Sequence, residues 1–408
     1  MGLTMNEKKA VTRETAHRYR QATKKSKAKI LDEFTRTTGY NRIYAGHLLS
    51  TWGKARYHTV DGKRVRFIVG KPRKPKKRVG RRIYGEAVHR ALEKIWTLFD
   101  YMCGKRLAVL IRMNLALLAS QPELDIDEAV KTALLRISPA TIDRLLAPQR
   151  KRLTLKGRSQ TKPGTLLKQQ IPIRTFFDWD ERQPGFFELD TVGHDGGSTY
   201  GEYCFTLNAT DVYSGWVELR ALRNRGHRWV KEEVEGIRAE LPFAVKGIDS
   251  DNGGEFINQL LWNYCKDQGI LFTRGRSYRK NDNCFVEQKN DLTVRRTVGY
   301  YRFDTEAEYQ ALKEVYRCLC PLLNFYYPSV RILEKTRVGA RVKKVYDDPK
   351  PPYVRLLECP QLDSHVKQEL SRRAQRLHIV KQKHLVDEAI SRLMRLYEQK
   401  KQPQLPLD

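Results

Sequence analysis

Long apolar runs are missing from this 408-residue chain. The longest, at residues 107–111 and 115–119, fall far short of the ~18 apolar residues that a transmembrane helix needs. No membrane-spanning segment and no membrane partner are expected. The first ten residues are polar and no apolar stretch follows them, so a signal-peptide pattern is missing too. Cysteine is sparse. The seven are scattered without a CxxC pair, and Cys318-Leu319-Cys320 is spaced too tightly for a structural zinc pattern. Such usage fits a reducing compartment. Internal repeats are absent. Acidic residues are few beside the basic ones, 47 against 77, which leaves a net charge of +30.

What is present is a segregated positive charge. Residues 1–182 hold 41 Lys+Arg against 16 Asp+Glu, residues 183–305 hold 16 against 18, and residues 306–408 hold 20 against 13. The excess lies in the N-terminal half and the tail, around a near-neutral centre. Lysine and arginine in such density neutralise phosphates and release counterions, so a polyanion partner is expected. A merely solvated surface would not divide by region in this way.

Residues 12–51 carry a helical pattern. Ile30, Leu31 and Phe34 mark an apolar face, Gly39 interrupts it, and Tyr44, Ala45 and Leu48 resume it. Helix, short turn and helix outline a helix-turn-helix, bounded here as residues 1–52. Residues 53–82 read as a basic linker, because Lys71-Pro72-Arg73-Lys74-Pro75-Lys76-Lys77-Arg78 has charge and proline but nothing to bury. Val88, Leu92, Ile95 and Phe99 then form one stripe of an amphipathic helix. A second helix-turn-helix-like pair falls within residues 83–148, where Ser138 can cap a helix that begins at Pro139 and carries Arg144. A purely structural bundle would give the same pattern. Residues 149–182 are a second basic linker.

The period changes over residues 183–328. Strands are expected at 186–192, 202–211, 214–222, 243–248 and 270–273, with helices at 229–241, 256–268, 283–298 and 306–325. Three consecutive strands followed by alternating helices and strands give a mixed α/β sheet covered by helices. That order resembles a ribonuclease-H-like fold. Residues 329–408 read as a small, basic, mixed or helical C-terminal region. The fold class expected is therefore an α/β ribonuclease-H-like domain, preceded by all-α helix-turn-helix modules and followed by that region.

Three acids stand in distinctive settings in the central segment: Asp190 in Phe186-Phe187-Glu188-Leu189-Asp190-Thr191, Asp251 in Ser250-Asp251-Asn252-Gly253-Gly254-Glu255-Phe256, and Glu287 in Asn281-Asp282-Asn283-Cys284-Phe285-Val286-Glu287-Gln288-Lys289-Asn290. Without a cation, clustered carboxylates repel and one takes up a proton. Two hard divalent ions remove that conflict and can activate a nucleophile while stabilising a leaving oxygen. Spacing alone does not choose these three over Glu188, Asp211, Asp249, Glu255 or Asp282.

The three motifs in order resemble the catalytic core of retroviral integrases and bacterial insertion-sequence transposases, the D,D-35-E superfamily. Ser250-Asp251-Asn252-Gly253 resembles the second motif, and Glu287 with Gln288-Lys289-Asn290 the third. Asp190, at the end of an apolar stretch, resembles the first. Asp190-Thr191-Val192-Gly193-His194 and Thr210-Asp211-Val212-Tyr213-Ser214-Gly215-Trp216 are similar to bacterial transposases with that core. The resemblance is strong over residues 183–300. It implies that Asp190, Asp251 and Glu287 are catalytic and hold two Mg²⁺ ions, with Mn²⁺ as a substitute. It implies a DNA transposase that frees a 3′-OH at element ends and joins it to target DNA, acting as a homo-oligomer on DNA in a bacterial-type cytoplasm. Retroviral integrases carry paired His and Cys zinc ligands near the N-terminus. Here His17, His47, His58 and His89 have no CxxC partner, so no zinc is expected.

Other residues have weaker claims. His194 is a candidate for touching the scissile phosphate or a metal-bound water, or else a loop hydrogen-bonder. Lys280, Lys289, Arg295, Arg296 and Arg144 are candidate DNA contacts, with Lys289 and Arg296 sharing a helix face seven residues apart. A helper ATPase is not specified by the sequence. Two rival readings stay open: a ribonuclease-H-like nuclease without strand transfer, and a non-catalytic, domesticated DNA-binding regulator.

Overall fold

The computed structural model describes residues 3–60, 63–70, 84–152, 183–275, 289–338 and 341–401. The chain divides into two compact units, residues 1–81 and residues 82–408. Among the described residues no helix is long and apolar enough to cross a membrane.

The first unit contains α1 (Met5–Gln21), α2 (Lys24–Thr38), α3 (Arg42–Thr51) and the strands β1 (Ala55–Val60) and β2 (Lys63–Ile68). Each helix starts on a side-chain cap: Thr4 for α1, Thr23 for α2 and Asn41 for α3. Ala16, Phe34, Ala45 and Leu49 close a small core among the three helices. The strands are a correction to the sequence reading, which placed residues 53–82 in a linker. Residues 55–68 instead pair as an antiparallel hairpin. Most of its side chains are exposed on both faces, so it carries no alternation of apolar and polar positions to read. The local signal was Asp61-Gly62 between the strands, a pair that favours tight hairpin turns. The run 71–78 lies outside the described residues.

The second unit opens with α4 (Glu86–Leu98), α5 (Gly104–Ala119), α6 (Glu128–Arg136) and α7 (Pro139–Arg152). Val88, Leu92, Ile95 and Phe99 are buried, as their spacing required. Ser138 accepts the Thr141 N–H at the start of α7, at 3.2 Å. A five-stranded sheet follows: β3 (Phe186–Gly193), β4 (Phe205–Asp211), β5 (Val217–Leu222), β6 (Gly247–Ser250) and β7 (Leu271–Arg274), with α8 (His227–Glu240) and α9 (Gln259–Asp267) between strands. The order across the sheet is β5-β4-β3-β6-β7. The first three strands are antiparallel, and β3, β6 and β7 are parallel. This mixed sheet with its helices fits the ribonuclease-H-like fold.

The two faces of the sheet differ in chemistry. Phe187, Leu189, Ala209 and Ile248 share one face and meet Val234 and Ile237 of α8. The other face carries Glu188, Asp190, Asn208, Thr210, Asp249 and Thr273, as the register requires. Over this polar side the expected helix 283–298 is described only from residue 289. It runs as a wide π-type turn, Asn290–Arg295, into a short α-helical end, Arg296–Val298.

The chain continues through α10 (Glu306–Pro321), β8 (Ile332–Val338), β9 (Arg341–Tyr346), α11 (Pro352–Glu358), α12 (Ser364–Arg376) and α13 (Ile379–Lys401). Asn324, just past α10, binds both the N–H and the carbonyl of Val217, each at 2.8 Å, and so closes the free edge of β5. One continuous apolar core joins α4–α7, the sheet, α10 and α13. The expected boundaries at 148, 182 and 328 therefore do not separate independent cores. Tyr327 O–H donates to Asp100 at 2.7 Å, and Lys383 pairs with the same carboxylate at 3.2 Å, which ties the helical module to the C-terminal region.

Candidate active site

Leu189 of β3 is in register with Ser250 of β6. The residues that follow, Asp190 and Asp251, each come one position past this pair, where β6 ends. This is the carboxyl end of parallel strands, beside the point where the sheet changes from antiparallel to parallel pairing, a place where α/β sheets form ligand crevices.

Burial sorts the competing acids. Glu188 and Asp249 lie on the same face two residues earlier, in register with one another and buried within the unit. Asp249 accepts a hydrogen bond from Thr273 Oγ1. Asp190 is half-buried and Asp251 is exposed, so these two are open to an incoming ligand. Asp211 is buried at the far end of β4, where it accepts from Gly185 N–H, Ser214 N–H and Ser214 Oγ. Burial still holds its carboxyl up at about 6.

Asp190 is held by donors on both oxygens. Oδ1 accepts Thr191 N–H at 2.8 Å, and Oδ2 accepts Asn290 Nδ2 at 2.6 Å. Asn290 Oδ1 accepts from Asn208 Nδ2 at 2.7 Å, and Asn208 Oδ1 from Thr210 Oγ1 at 3.1 Å. The chain of donors runs one way, towards the carboxylate, and each bond polarises the next. The sequence reading gave neither asparagine a role, although Asn290 stands in the third motif. Asn208 was legible as a polar residue within the apolar strand Phe205-Thr206-Leu207-Asn208-Ala209.

Asp251 Oδ1 accepts Gly253 N–H at 2.8 Å. Glu255, set aside from the sequence, comes close by, with Thr191 Oγ1 donating to its Oε1 at 2.9 Å. Gly253 separates the two acids. A Cβ there would lie 2.6 Å from Glu255 Oε2 and 2.9 Å from Asp251 Oδ1, so a larger residue would push these carboxylate ends aside. Asp251 shows one side to solvent, but enough protein surrounds it that burial comes first in raising its carboxyl to about 6. The Glu255 carboxylate adds to the rise, while Gly253 N–H and Arg225 oppose it. Arg225 belongs to the β5–α8 connection and was also missed.

The remaining sequence-predicted residues fall in different places. Glu287 and Lys280 lie outside the described residues. His194 is a correction: it is fully buried, its Nε2 shares a 2.7 Å hydrogen bond with Thr206 Oγ1, and Thr206 also bonds Tyr316. Burial first, and then Arg295, lower it to about 3, so it is a neutral core histidine with no face for DNA. Lys289 does not share an outward stripe with Arg296. Its ammonium turns to the carbonyl of Gly215 at 3.3 Å, and burial together with Arg106 and Arg355 lowers it to about 7. The wide turn that begins at Asn290 breaks the regular α-helical spacing on which the shared face depended. Arg295 is half-buried and lies 4.8 Å over the Tyr300 ring, whereas Arg296 and Arg144 are exposed.

Among the described residues no group of three His, Cys, Asp or Glu side chains is arranged to hold a metal. The carboxylates of Asp251 and Glu255, which lie near one another, and that of Asp190 on β3 all offer oxygen donors. A hard divalent cation suits them, and it would relieve the repulsion that helps raise Asp251.

No family model matches the chain. It is 36% identical over 344 residues to a protein of Sinorhizobium fredii (strain NBRC 101917 / NGR234) described as "Uncharacterized protein y4rM", covering 83% of this chain and 91% of that one. The chain belongs to the y4rM family. This y4rM-family member is also 26% identical over 180 residues to the Gag-Pol polyprotein of avian reticuloendotheliosis virus. That match takes in 43% of the chain but only 14% of the polyprotein's length. Among solved structures, the catalytic core domain of BIV integrase aligns with 43% of the y4rM-family chain and 94% of that core, at 20% identity and a TM-score of 0.28. A simian T-cell lymphotropic virus intasome in complex with PP2A regulatory subunit B56 gamma aligns at 16% identity and a TM-score of 0.24, over 42% of this chain and 56% of that one. The fold assignment rests on the strand order and not on these two likenesses.

Proposed function

We propose that this y4rM-family chain is a DNA-strand transferase of the transposase and integrase kind. The observation that carries the reading is the pairing of Leu189 with Ser250, which brings Asp190 and Asp251 each one position past the paired residues at the end of β6, on a sheet of ribonuclease-H-like order. The sequence similarity to a retroviral polyprotein supports it. Glu287 is assigned as the third carboxylate. Support comes from Asn290, three residues further on, whose amide is bonded to Asp190.

In the first step water attacks a phosphodiester at the element end, the bond to the 3′-oxygen breaks, and a 3′-OH is freed. In the second, that 3′-OH attacks target DNA, and one phosphodiester is exchanged for another. Two Mg²⁺ ions, or Mn²⁺, would be held by Asp190, Asp251 and Glu287, and when bound would supply charge stabilisation to the attacking and leaving oxygens. Asn290 and Thr191 N–H fix Asp190, Gly253 N–H fixes Asp251, and Gly253 leaves room for Glu255 beside it. The N-terminal helices, read as helix-turn-helix modules, bind the element ends. Two ends held together call for a homo-oligomer on DNA.

The test supplies purified protein, Mg²⁺ and labelled element ends. Joined products are expected with the wild type. Asp190→Asn, Asp251→Asn and Glu287→Gln each lower joining by on the order of 10³-fold or more, the several kcal/mol that metal charge contributes, while DNA binding persists. Joining that survives any of these changes would remove that residue from the site. Cleavage without joined products would assign the chain to nucleases.

A further inference from the structure

We propose that the β1–β2 ribbon is a phosphate-gripping arm for duplex DNA, placed beside α3 in the first unit. The inference rests on the reading that this unit binds DNA, and it names a contact surface outside the helices.

The ribbon is fixed at its root and uncovered beyond it. Gly53 N–H donates to Val69 O at 2.9 Å, and Val69 N–H to Lys54 O at 3.1 Å. Trp52 lies against Gly70, where a Cβ would come within 2.6 Å of the indole and φ is +84°. Arg20 binds the carbonyl of Trp52 and ties the root to α1. Past this root Arg56, Tyr57, His58, Arg64, Arg66 and Phe67 are all exposed. Tyr57 keeps 58% of its surface open and Phe67 41%, although a two-stranded hairpin gains little by leaving aromatics in water.

Charge identifies the occupant. Residues 54–70 hold five Lys or Arg and a single acid, Asp61. The register sets Arg66 opposite Tyr57 and Arg64 opposite Thr59, so both guanidiniums and the tyrosine share one face. Arg64 stacks 4.8 Å over the Tyr57 ring, which orients its planar fork. The other face pairs Arg56 with Phe67. Guanidinium forks match phosphate oxygens two at a time. The adjacent α3 exposes Arg42, Tyr44, His47 and Ile43, the last 84% open, a mixture suited to base edges and thymine methyls. Helix and ribbon together would place base reading and backbone gripping in one rigid unit.

Charged side chains on a free edge also prevent strand pairing between copies, and charge of either sign serves that purpose. Reversal of sign therefore separates the two roles. The experiment measures affinity of the full-length chain for a random-sequence duplex across a salt series. Arg56→Glu/Arg64→Glu/Arg66→Glu should weaken binding at least tenfold and reduce the slope of log affinity against log salt by about 3, close to one per lost phosphate contact. Arg56→Lys/Arg64→Lys/Arg66→Lys, which keeps the charge, should retain the wild-type slope. Wild-type affinity and slope in the glutamate variant would overturn the proposal and leave the DNA-binding reading intact. An equal loss in the lysine variant would point to damaged folding and would also overturn it. Wild-type protein that binds with no salt dependence would instead overturn the parent reading.

Discussion

His194 and Asp251 are five and one positions past the paired strand residues Leu189 and Ser250, yet their surroundings give them opposite behaviour. Asp251 keeps a solvent-facing side and stands near a second carboxylate, so it gains from a cation. His194 is sealed among Thr206, Tyr316 and Phe303, its ring 5.3 Å from that phenylalanine. Its folded-state value of about 3 lies below the ordinary 6.5, so the folded protein refuses a proton that the unfolded chain accepts. The resulting stability is fully present above pH 6.5 and is lost as pH falls towards 3, by up to about 1.4 kcal/mol per pH unit. Urea melts at a series of pH values should show this slope in the wild type between pH 6.5 and 4. His194→Gln should flatten it, at a cost of roughly 1–3 kcal/mol at neutral pH from the altered buried hydrogen bond. Equal slopes in both proteins would show that the histidine is not the group responsible.

At the scale of elements, Asn290 links the polar side of the sheet to the wide turn Asn290–Arg295, reaching Asp190 and Asn208 together. On the proposed function Asn290 would be a positioning residue, because it orients the Asp190 carboxylate instead of reacting. Asn290→Ala should lower joining by roughly 10–100-fold, the usual effect of losing a partner of a metal ligand, and should raise the Mg²⁺ concentration needed for half-maximal activity. Asn290→Asp would restore neither, since it brings an acceptor to an acceptor. A fall in activity with unchanged Mg²⁺ dependence would assign Asn290 to folding alone. Elements of this kind also mark where sequence reading stops. The central strands were legible because their faces differ: Phe187 and Leu189 alternate with Glu188 and Asp190. Asp190 and Asp251 were legible by motif, but not their separation from Glu188 and Asp249, which depends on burial. The β1–β2 hairpin gave no alternation because neither face is covered. Lys289 turns to the Gly215 carbonyl and is followed by a π-type turn, which an expectation of regular helix could not contain.

For the whole molecule, the proposed function would divide binding from chemistry between the basic N-terminal half and the near-neutral centre. Residues 1–182 hold the larger share of the +30 charge, while residues 183–305, which contain all three candidate carboxylates, hold slightly more acid than base. Salt screens the first and not the second. A protein making about 6–10 phosphate contacts loses on the order of 10³–10⁵ in affinity between 50 and 200 mM salt through counterion competition. Duplex affinity should fall within that range here. The proposed bond exchange, by contrast, would take place among groups in direct contact, well inside a Debye length of ~8–10 Å. Single-turnover joining by complexes formed at saturating protein should therefore change much less, by under about tenfold over the same salt range. The measurement is a salt series of equilibrium binding beside one of single-turnover rate. Parallel losses in the two would mean that basic residues of the N-terminal half take part in the chemical step, and the division of labour drawn from the charge map would fail.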